Sequence, residues 1–219
     1  CEMNCDFCSF ASKYSITEKA YTLSDDEILE KAHQYAEAGV DFLTLRSTEF
    51  YDVEKIAQLA RLIRKEGAGD YVIYVNIGEL DVDAATFLHD NGVFGAYHAY
   101  RLREGIDTPF DPQVRLDTMR SIAASPLKLA SCLEPIGPEH SDEELADVMD
   151  IITHVGVWKT GVMSRSPVKG TKFEGVPLLD GNRLFQILAT LRLAAGSNVK
   201  VVSCYPLRNE SFASGANQT

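Results

Sequence analysis

Cys1, Cys5 and Cys8 follow one another at C-x3-C-x2-C spacing, and a loop that short can turn three thiolates toward one point. A cubane iron–sulfur cluster takes four ligands, so three cysteines leave one iron without a protein ligand. An iron left open in this way can bind a small chelating molecule. Zinc is the competing use of three thiolates, but its structural sites close with four protein ligands. The chain has five cysteines, an odd number, with three of them in one loop. That is not a disulfide framework; it fits a reducing, cytoplasmic setting in which thiols serve metal.

The elements that must position this loop are those of one domain spanning 1–219. At 219 residues, with 45% apolar and 24% charged residues, the chain is long enough to bury one core. No apolar run approaches the length of a membrane span, and nothing at the start reads as a signal peptide. The net charge of -11, without any basic run, argues against nucleic acid, whose phosphates need a positive surface. A small-molecule substrate or a protein partner fits better. The first residue is a cysteine, and the sequence reads as trimmed at its start and perhaps at its end.

Ser24 with Glu27 forms a capping box that opens a helix running to about Ala38, with Gly39 as its stop. Further helices are predicted over Val53 to Glu66, Asp83 to Asn91, Pro112 to Ala124, Asp142 to His154 and Asp180 to Ala195. Between them lie β-rich runs: Asp41 to Arg46, Tyr71 to Ile77, Phe94 to Tyr100, Lys128 to Leu133, Val157 to Met163 and Val199 to Cys204. Alternation at this period predicts an α/β fold with a parallel sheet of βαβ units.

The cysteine motif, with the aromatic Phe7 just before its last cysteine, resembles that of the radical S-adenosylmethionine (SAM) superfamily. The resemblance implies a TIM-type (β/α) barrel whose first and last strands lie outside the chain, with the active site at the C-terminal ends of the strands. It implies a 4Fe-4S cluster on Cys1, Cys5 and Cys8, SAM on the open iron, and a reductant such as ferredoxin or flavodoxin. Ser47-Thr48-Glu49 stands where the family carries a Gly-Gly-Glu-like turn for the SAM ammonium; Glu49 matches, whereas Ser47 and Thr48 depart from the glycines. Asn76-Ile77-Gly78-Glu79 resembles the S-x-G-E-like turn of the hydrogenase maturase group, with Gly78 allowing close approach to a ligand and Asn76 a substrate candidate.

Tyr97 and His98 fall where biotin synthase relatives hold the SAM ribose, although the Asn and Asp of that comparison are missing. Arg115, followed by x-x-Thr, resembles the arginine that pairs with the SAM carboxylate, a task suited to a bidentate guanidinium. Ile136-Gly137 matches the end of the adenine-binding strand, and Glu134, a carboxylate at a barrel mouth, is a substrate candidate. Residues 167–174 resemble the P-x-x-GTPLE loop, and Arg165 just ahead of it is placed either against an anionic substrate or in solvent.

Together these stretches resemble the biotin synthase-like branch. Tyr74 and Ala130 stand where biotin synthase has cysteines for a second cluster, and Cys132 and Cys204 read as buried fillers, so sulfur insertion is not expected. Residues 98–105 and 134–140 most resemble the radical SAM protein of mononuclear-iron hydrogenase, which implies a part in building the iron-guanylylpyridinol cofactor. A methylornithine synthase-like mutase, a di-iron hydrogenase maturase-like enzyme and a cluster carrier without turnover are the alternatives.

Overall fold

Apolar residues recurring at alternate positions along the β-runs, and at helical spacing between them, require two faces: a sheet and a layer of helices covering it. The computed structural model describes residues 1, 3–17, 21–47, 51–66 and 69–218. Its strands are β1 (Phe42–Arg46), β2 (Val72–Asn76), β3 (Gly95–Tyr97), β4 (Lys128–Ala130), β5 (Leu133–Ile136), β6 (Lys159–Ser164) and β7 (Val201–Tyr205). The helices are α1 (Asp25–Glu37), α2 (Val53–Lys65), α3 (Val82–Asp90), α4 (Pro112–Ala124), α5 (Asp142–Val155), α6 (Gly181–Ala195) and α7 (Asn209–Ala213).

All strand pairs are parallel. β1, β2, β3 and β4 lie side by side, β4 and β5 both pair β6, and β7 takes the other side of β6. Leu43, Leu45, Ile73, Val75, Leu129, Val162 and Val202 point into the helix-facing core. On α2, Ile56, Leu59, Ala60 and Ile63 form the buried stripe that meets them.

The other face of the sheet curls on itself. Phe42 of β1 and Trp158, the residue before β6, have ring centroids 6.3 Å apart, although β2, β3 and β4 separate their strands in the sheet order. Phe94 meets the same indole edge-on at 5.3 Å, and Tyr74 meets Phe42 and Phe94 at 5.7 Å each. These rings floor a partial (β/α) barrel at the N-terminal ends of its strands. Among the described residues β1 and β7 remain unpaired with each other.

The six expected helices are present, each within a residue or two of its predicted ends. The capping boxes at Ser24–Glu27 and Ser141–Glu144 are formed. Two strands differ from expectation. The third is shorter than Phe94 to Tyr100, because the chain leaves the ladder after Tyr97 and turns across the barrel mouth, Leu102 N–H donating to Glu134 O at 2.9 Å. The fourth is not continuous from Lys128 to Leu133: it breaks at Ser131 and Cys132 and resumes as β5, with an irregular register between Leu133 and Ile136.

Gly95 shows how closely the interior is packed. A Cβ there would meet the Lys128 carbonyl and would lie 2.5 Å from the Tyr74 ring, which crosses over it. Gly95→Ala is therefore expected to destabilise the fold by about 1–3 kcal/mol. A lowered urea midpoint with an unchanged slope is the expected reading; an unchanged midpoint would contradict this packing.

Candidate functional site

A cysteine loop has little core of its own, so other groups must fix it in place. Inside the loop, Cys8 N–H donates to Cys5 O at 3.2 Å, Ser12 N–H to Cys1 O at 2.9 Å and Ala11 N–H to Cys8 O at 3.1 Å. The loop is fastened to the barrel mouth by Asp6, whose backbone N–H donates to Asp107 O at 2.8 Å. The Lys172 ammonium bridges both acids, 2.6 Å from Asp6 Oδ2 and 2.8 Å from Asp107 Oδ1. Tyr14 Oη donates to Asp6 O at 2.9 Å and accepts from Lys172 N–H at 3.2 Å. Burial pushes the Asp6 carboxyl up, but its bonds to Lys13 and Lys172 and their charges outweigh this and hold it low. The loop of residues 167–174, legible in the sequence only as a resemblance, is thus the strap that carries Lys172.

Cys1, Cys5 and Cys8 are half-buried and free of disulfides. Among the described residues no three Cys, His, Asp or Glu side chains form a ready-made metal-ligating group, and metal sites commonly form together with their metal. As donors, three thiols outside any disulfide, partly exposed on one loop, fit a 4Fe-4S cluster with one open iron.

Below the loop lies a buried ionic layer. Glu79, just beyond β2, accepts from Arg115 Nη1 at 2.9 Å and from Thr118 Oγ1. Arg115 also donates through Nε and Nη2 to Ala99 O at 3.2 and 3.0 Å, and its guanidinium lies 4.5 Å from the Phe110 ring centroid. Arg115 is buried at 2% exposure, behind the mouth rather than in it. Glu104 accepts from Arg101 N–H at 2.8 Å and from Thr108 Oγ1, with Arg115 Nε 3.8 Å away. His98 Nε2 stands 3.3 Å from Glu79 Oε2 without the alignment of a hydrogen bond. Burial pushes the His98 imidazole down to about 4, so it is neutral at pH 7. Burial raises Glu79, but His98, Thr118 and Arg115 together bring it down to about 2.

A second polar group faces the barrel interior. Arg101 Nε lies 3.7 Å from Glu134 Oε1, and Arg101 Nη1 is buried without a hydrogen bond. Burial disfavours its charge, but Glu134, Glu104, Tyr97 and Cys5 outweigh that and raise its pKa. Cys5 of the loop is therefore within electrostatic reach of this guanidinium. Tyr97 Oη has no hydrogen-bond partner. Cys132, beside Tyr97 and Glu134, is pushed up by burial to about 12 and remains a thiol.

The predicted site residues fall into three groups. Asn76, Gly78, Tyr97 and His98 gather at the C-terminal ends of β2 and β3, as barrel chemistry requires, and Glu134 lies early in β5, past the end of β4; Gly78 adopts φ 107°, open to glycine alone. Three are placed differently. Arg115 lies behind the mouth, engaged by Glu79 and the Ala99 carbonyl. Arg165 is neither in solvent nor free for an anion: it is 7% exposed, paired bidentately with Glu139 and stacked 4.3 Å from the Phe173 centroid. The Ile136 side chain lies in the helix-facing core together with Leu133, because the irregular register between them turns both to the same face. Glu49 lies outside the described residues. Sequence reasoning passed over Glu79, Arg101 and Lys172 as site residues; a charged residue in the turn after β2 or β3 was the available signal for the first two, whereas Lys172 lies farther on in the loop before α6.

The sequence profile of the Radical SAM superfamily matches residues 1–167. Biotin synthase from Acetivibrio thermocellus is 28% identical over 202 residues, covering 88% of this chain and 62% of that protein. Biotin synthase from Thermotoga neapolitana is 28% identical over 209 residues, covering 92% and 74%. Among solved structures, methylornithine synthase superposes with a TM-score of 0.79 at 16% identity, over 92% of this chain and 60% of that one. The FeFe-hydrogenase maturase HydG from Carboxydothermus hydrogenoformans gives 0.74 at 15% identity, over 96% and 52%. At such identities the structural likeness bears on the fold. The chain spans less than two thirds of the Acetivibrio relative and of both solved structures.

The ionic layer makes the site acid-sensitive. An unfolded chain takes up protons at His98 below its ordinary 6.5 and at Glu79 below 4.5, whereas the folded chain resists until about 4 and about 2. Both shifts are depressions, so the stability they contribute is present at neutral pH and is lost as pH falls from 6.5 toward 2. His98→Gln is expected to flatten the melting-temperature profile in the upper part of that window. An unchanged profile would contradict a buried neutral His98.

Proposed function

The chain belongs to the radical SAM superfamily, and from that premise we propose that it is an enzyme acting on a small molecule inside the barrel. Cys1, Cys5 and Cys8 would hold a 4Fe-4S cluster and leave one iron open for SAM. When bound and reduced by a ferredoxin- or flavodoxin-type donor, this pair would supply a 5'-deoxyadenosyl radical to take a hydrogen atom from the substrate. The single observation that carries the reading is the half-buried triple-cysteine loop strapped over the barrel mouth by Lys172, Asp6 and Asp107.

The chain's own residues supply placement and exclusion of water. The strap fixes the loop above the strand ends. Gly78, Tyr97 and His98 form the adjacent wall for SAM; Glu49, outside the described residues, joins them on its sequence resemblance alone. Arg115 supports that wall from behind by holding Glu79 and the Ala99 carbonyl, a positioning role. Arg101, pulled toward Glu134, presents its buried Nη1 to the chamber, and Asn76 and Glu134 border the substrate. Ile136 and Arg165 support the same wall from within the fold.

Sulfur insertion is disfavoured by the interior. Tyr74 and Ala130 occupy strand positions within the sheet, Cys132 faces the chamber, and Cys204 lies in the helix-facing core. The last two are therefore on opposite faces and cannot share a cluster. Residues 98–105 and 134–140 supply Arg101, Glu104, Glu134 and Glu139 around the mouth. On their resemblance we assign the chain to assembly of the iron-guanylylpyridinol cofactor of mononuclear-iron hydrogenase.

Cys5→Ala is expected to lose the site-bound cluster after anaerobic reconstitution while keeping the far-UV circular dichroism of the parent. Full iron and sulfide retention would overturn the ligand assignment. Lys172→Ala leaves the buried Asp107, among the described residues, with only Arg103 at 3.8 Å, so global stability should fall by about 1–3 kcal/mol. Its reconstituted cluster is also expected to be lost faster to a chelator. An unchanged rate of loss would show that the strap does not hold the loop.

A further inference from the structure

We propose that Lys159, at the floor of the barrel, anchors a carboxylate group of the substrate. The inference rests on the reading of the interior as the substrate chamber and names the chemistry that this chamber takes. Lys159 opens β6, and its ammonium crosses the barrel to stand 4.6 Å from the centroid of the Phe42 ring and 6.0 Å from that of Tyr74. The arginines drawn into the barrel wall away from full exposure have carboxylates: Arg101 has Glu134, Arg115 has Glu79 and Arg165 has Glu139; the exposed strand cations Arg46 and Lys128 remain in water. Among the described residues Lys159 has no carboxylate within ion-pair distance. The titratable groups facing it are Tyr74 and Cys132, the latter held as a neutral thiol.

A half-buried ammonium turned inward without a carboxylate, in a protein of net charge -11, leaves a positive group that an anion from outside can complete. Ring faces return part of its lost hydration, and burial pushes its pKa down. A second donor stands beside it. Tyr74 is 3% exposed, and its hydroxyl is buried without a partner. The phenol lies across Gly95, whose missing side chain leaves room for the ring. Buried hydroxyls are ordinarily satisfied, and this one faces the same interior as the ammonium.

One ammonium and one phenolic O–H match the two oxygens and single charge of a carboxylate. A phosphate dianion would call for a second cation withdrawn from water, and Arg101 is already balanced by Glu134 and Glu104. The aromatic floor of Phe42, Phe94 and Trp158 suits the apolar carbons beside such a carboxylate.

Trp158 is the sole tryptophan of the chain and packs against Phe42 and Phe94, so its fluorescence reports on this floor. The test titrates the anaerobically reconstituted protein with benzoate, with its neutral isostere benzamide and with inorganic phosphate. Benzoate is expected to change Trp158 emission saturably, with benzamide and phosphate ineffective at the same concentrations. Lys159→Met should abolish the response, Lys159→Arg should keep it, and Tyr74→Phe should weaken it about tenfold. Equal binding of benzamide, stronger binding of phosphate, an unchanged Lys159→Met titration or no benzoate response at all would each overturn the proposal. Should Lys159→Met fail to fold, the lysine side-chain NMR signal of Lys159 in the parent protein decides. It must shift with benzoate and not with benzamide; the reverse, or no shift, overturns the proposal. Because this is a binding measurement, a protein that takes up benzoate but cleaves no SAM would count against the proposed reaction and not against Lys159.

Discussion

The Lys172 ammonium shared between Asp6 and Asp107 is the contact on which the site depends. The cysteine loop precedes the first helix and contributes little to the core, so its position over the barrel is set by polar contacts at its base. One cation balanced by two carboxylates, with Tyr14 bonded to both sides, ties the first residues of the chain to the turn after β3 and to the strap after β6. These three segments are far apart in sequence and meet only because the parallel sheet brings its C-terminal strand ends to one rim. These bridges are half-exposed at Lys172 and buried at Asp107, so they add only modestly to global stability. Their contribution is to fix one segment against another, which is what a cluster-bearing loop requires.

Beneath this rim, charge is handled by pairing. Glu79, Glu104, Arg101 and Arg115 are withdrawn from water, and each carries hydrogen bonds or an opposite charge. Removing one partner from such a set leaves a buried charge, which costs more than the pair contributes. The layer therefore specifies one arrangement of the mouth: Arg115 fixes the Ala99 carbonyl, Ala99 follows His98, and His98 follows Tyr97 at the end of β3. Lys159 departs from this pattern at the far end of the same chamber. Its ammonium is held between aromatic faces instead of beside a carboxylate.

Much of this was legible in the sequence, for identifiable reasons. Helices announced themselves through caps such as Ser24 with Glu27 and through the stripe Ile56, Leu59, Ala60 and Ile63. The break in the fourth strand was hidden, because Ser131 and Cys132 read as ordinary strand residues; only the ladder shows that the register slips. The same slip moved Ile136 from the ligand side to the core. Arg165 was misplaced because its partner, Glu139, lies 26 positions away, beyond the reach of local pattern. Glu79 stood in the turn after β2 and Lys172 in the loop of residues 167–174, but their importance arises from tertiary pairing.

The central claim is that the three-cysteine loop supports reductive cleavage of SAM. The most direct test adds SAM and a strong reductant to the anaerobically reconstituted protein and measures 5'-deoxyadenosine, with Cys5→Ala as the control. The account predicts 5'-deoxyadenosine from the parent protein and none from the variant. A parent protein that holds its cluster and releases none would contradict it and mark the chain as a cluster carrier.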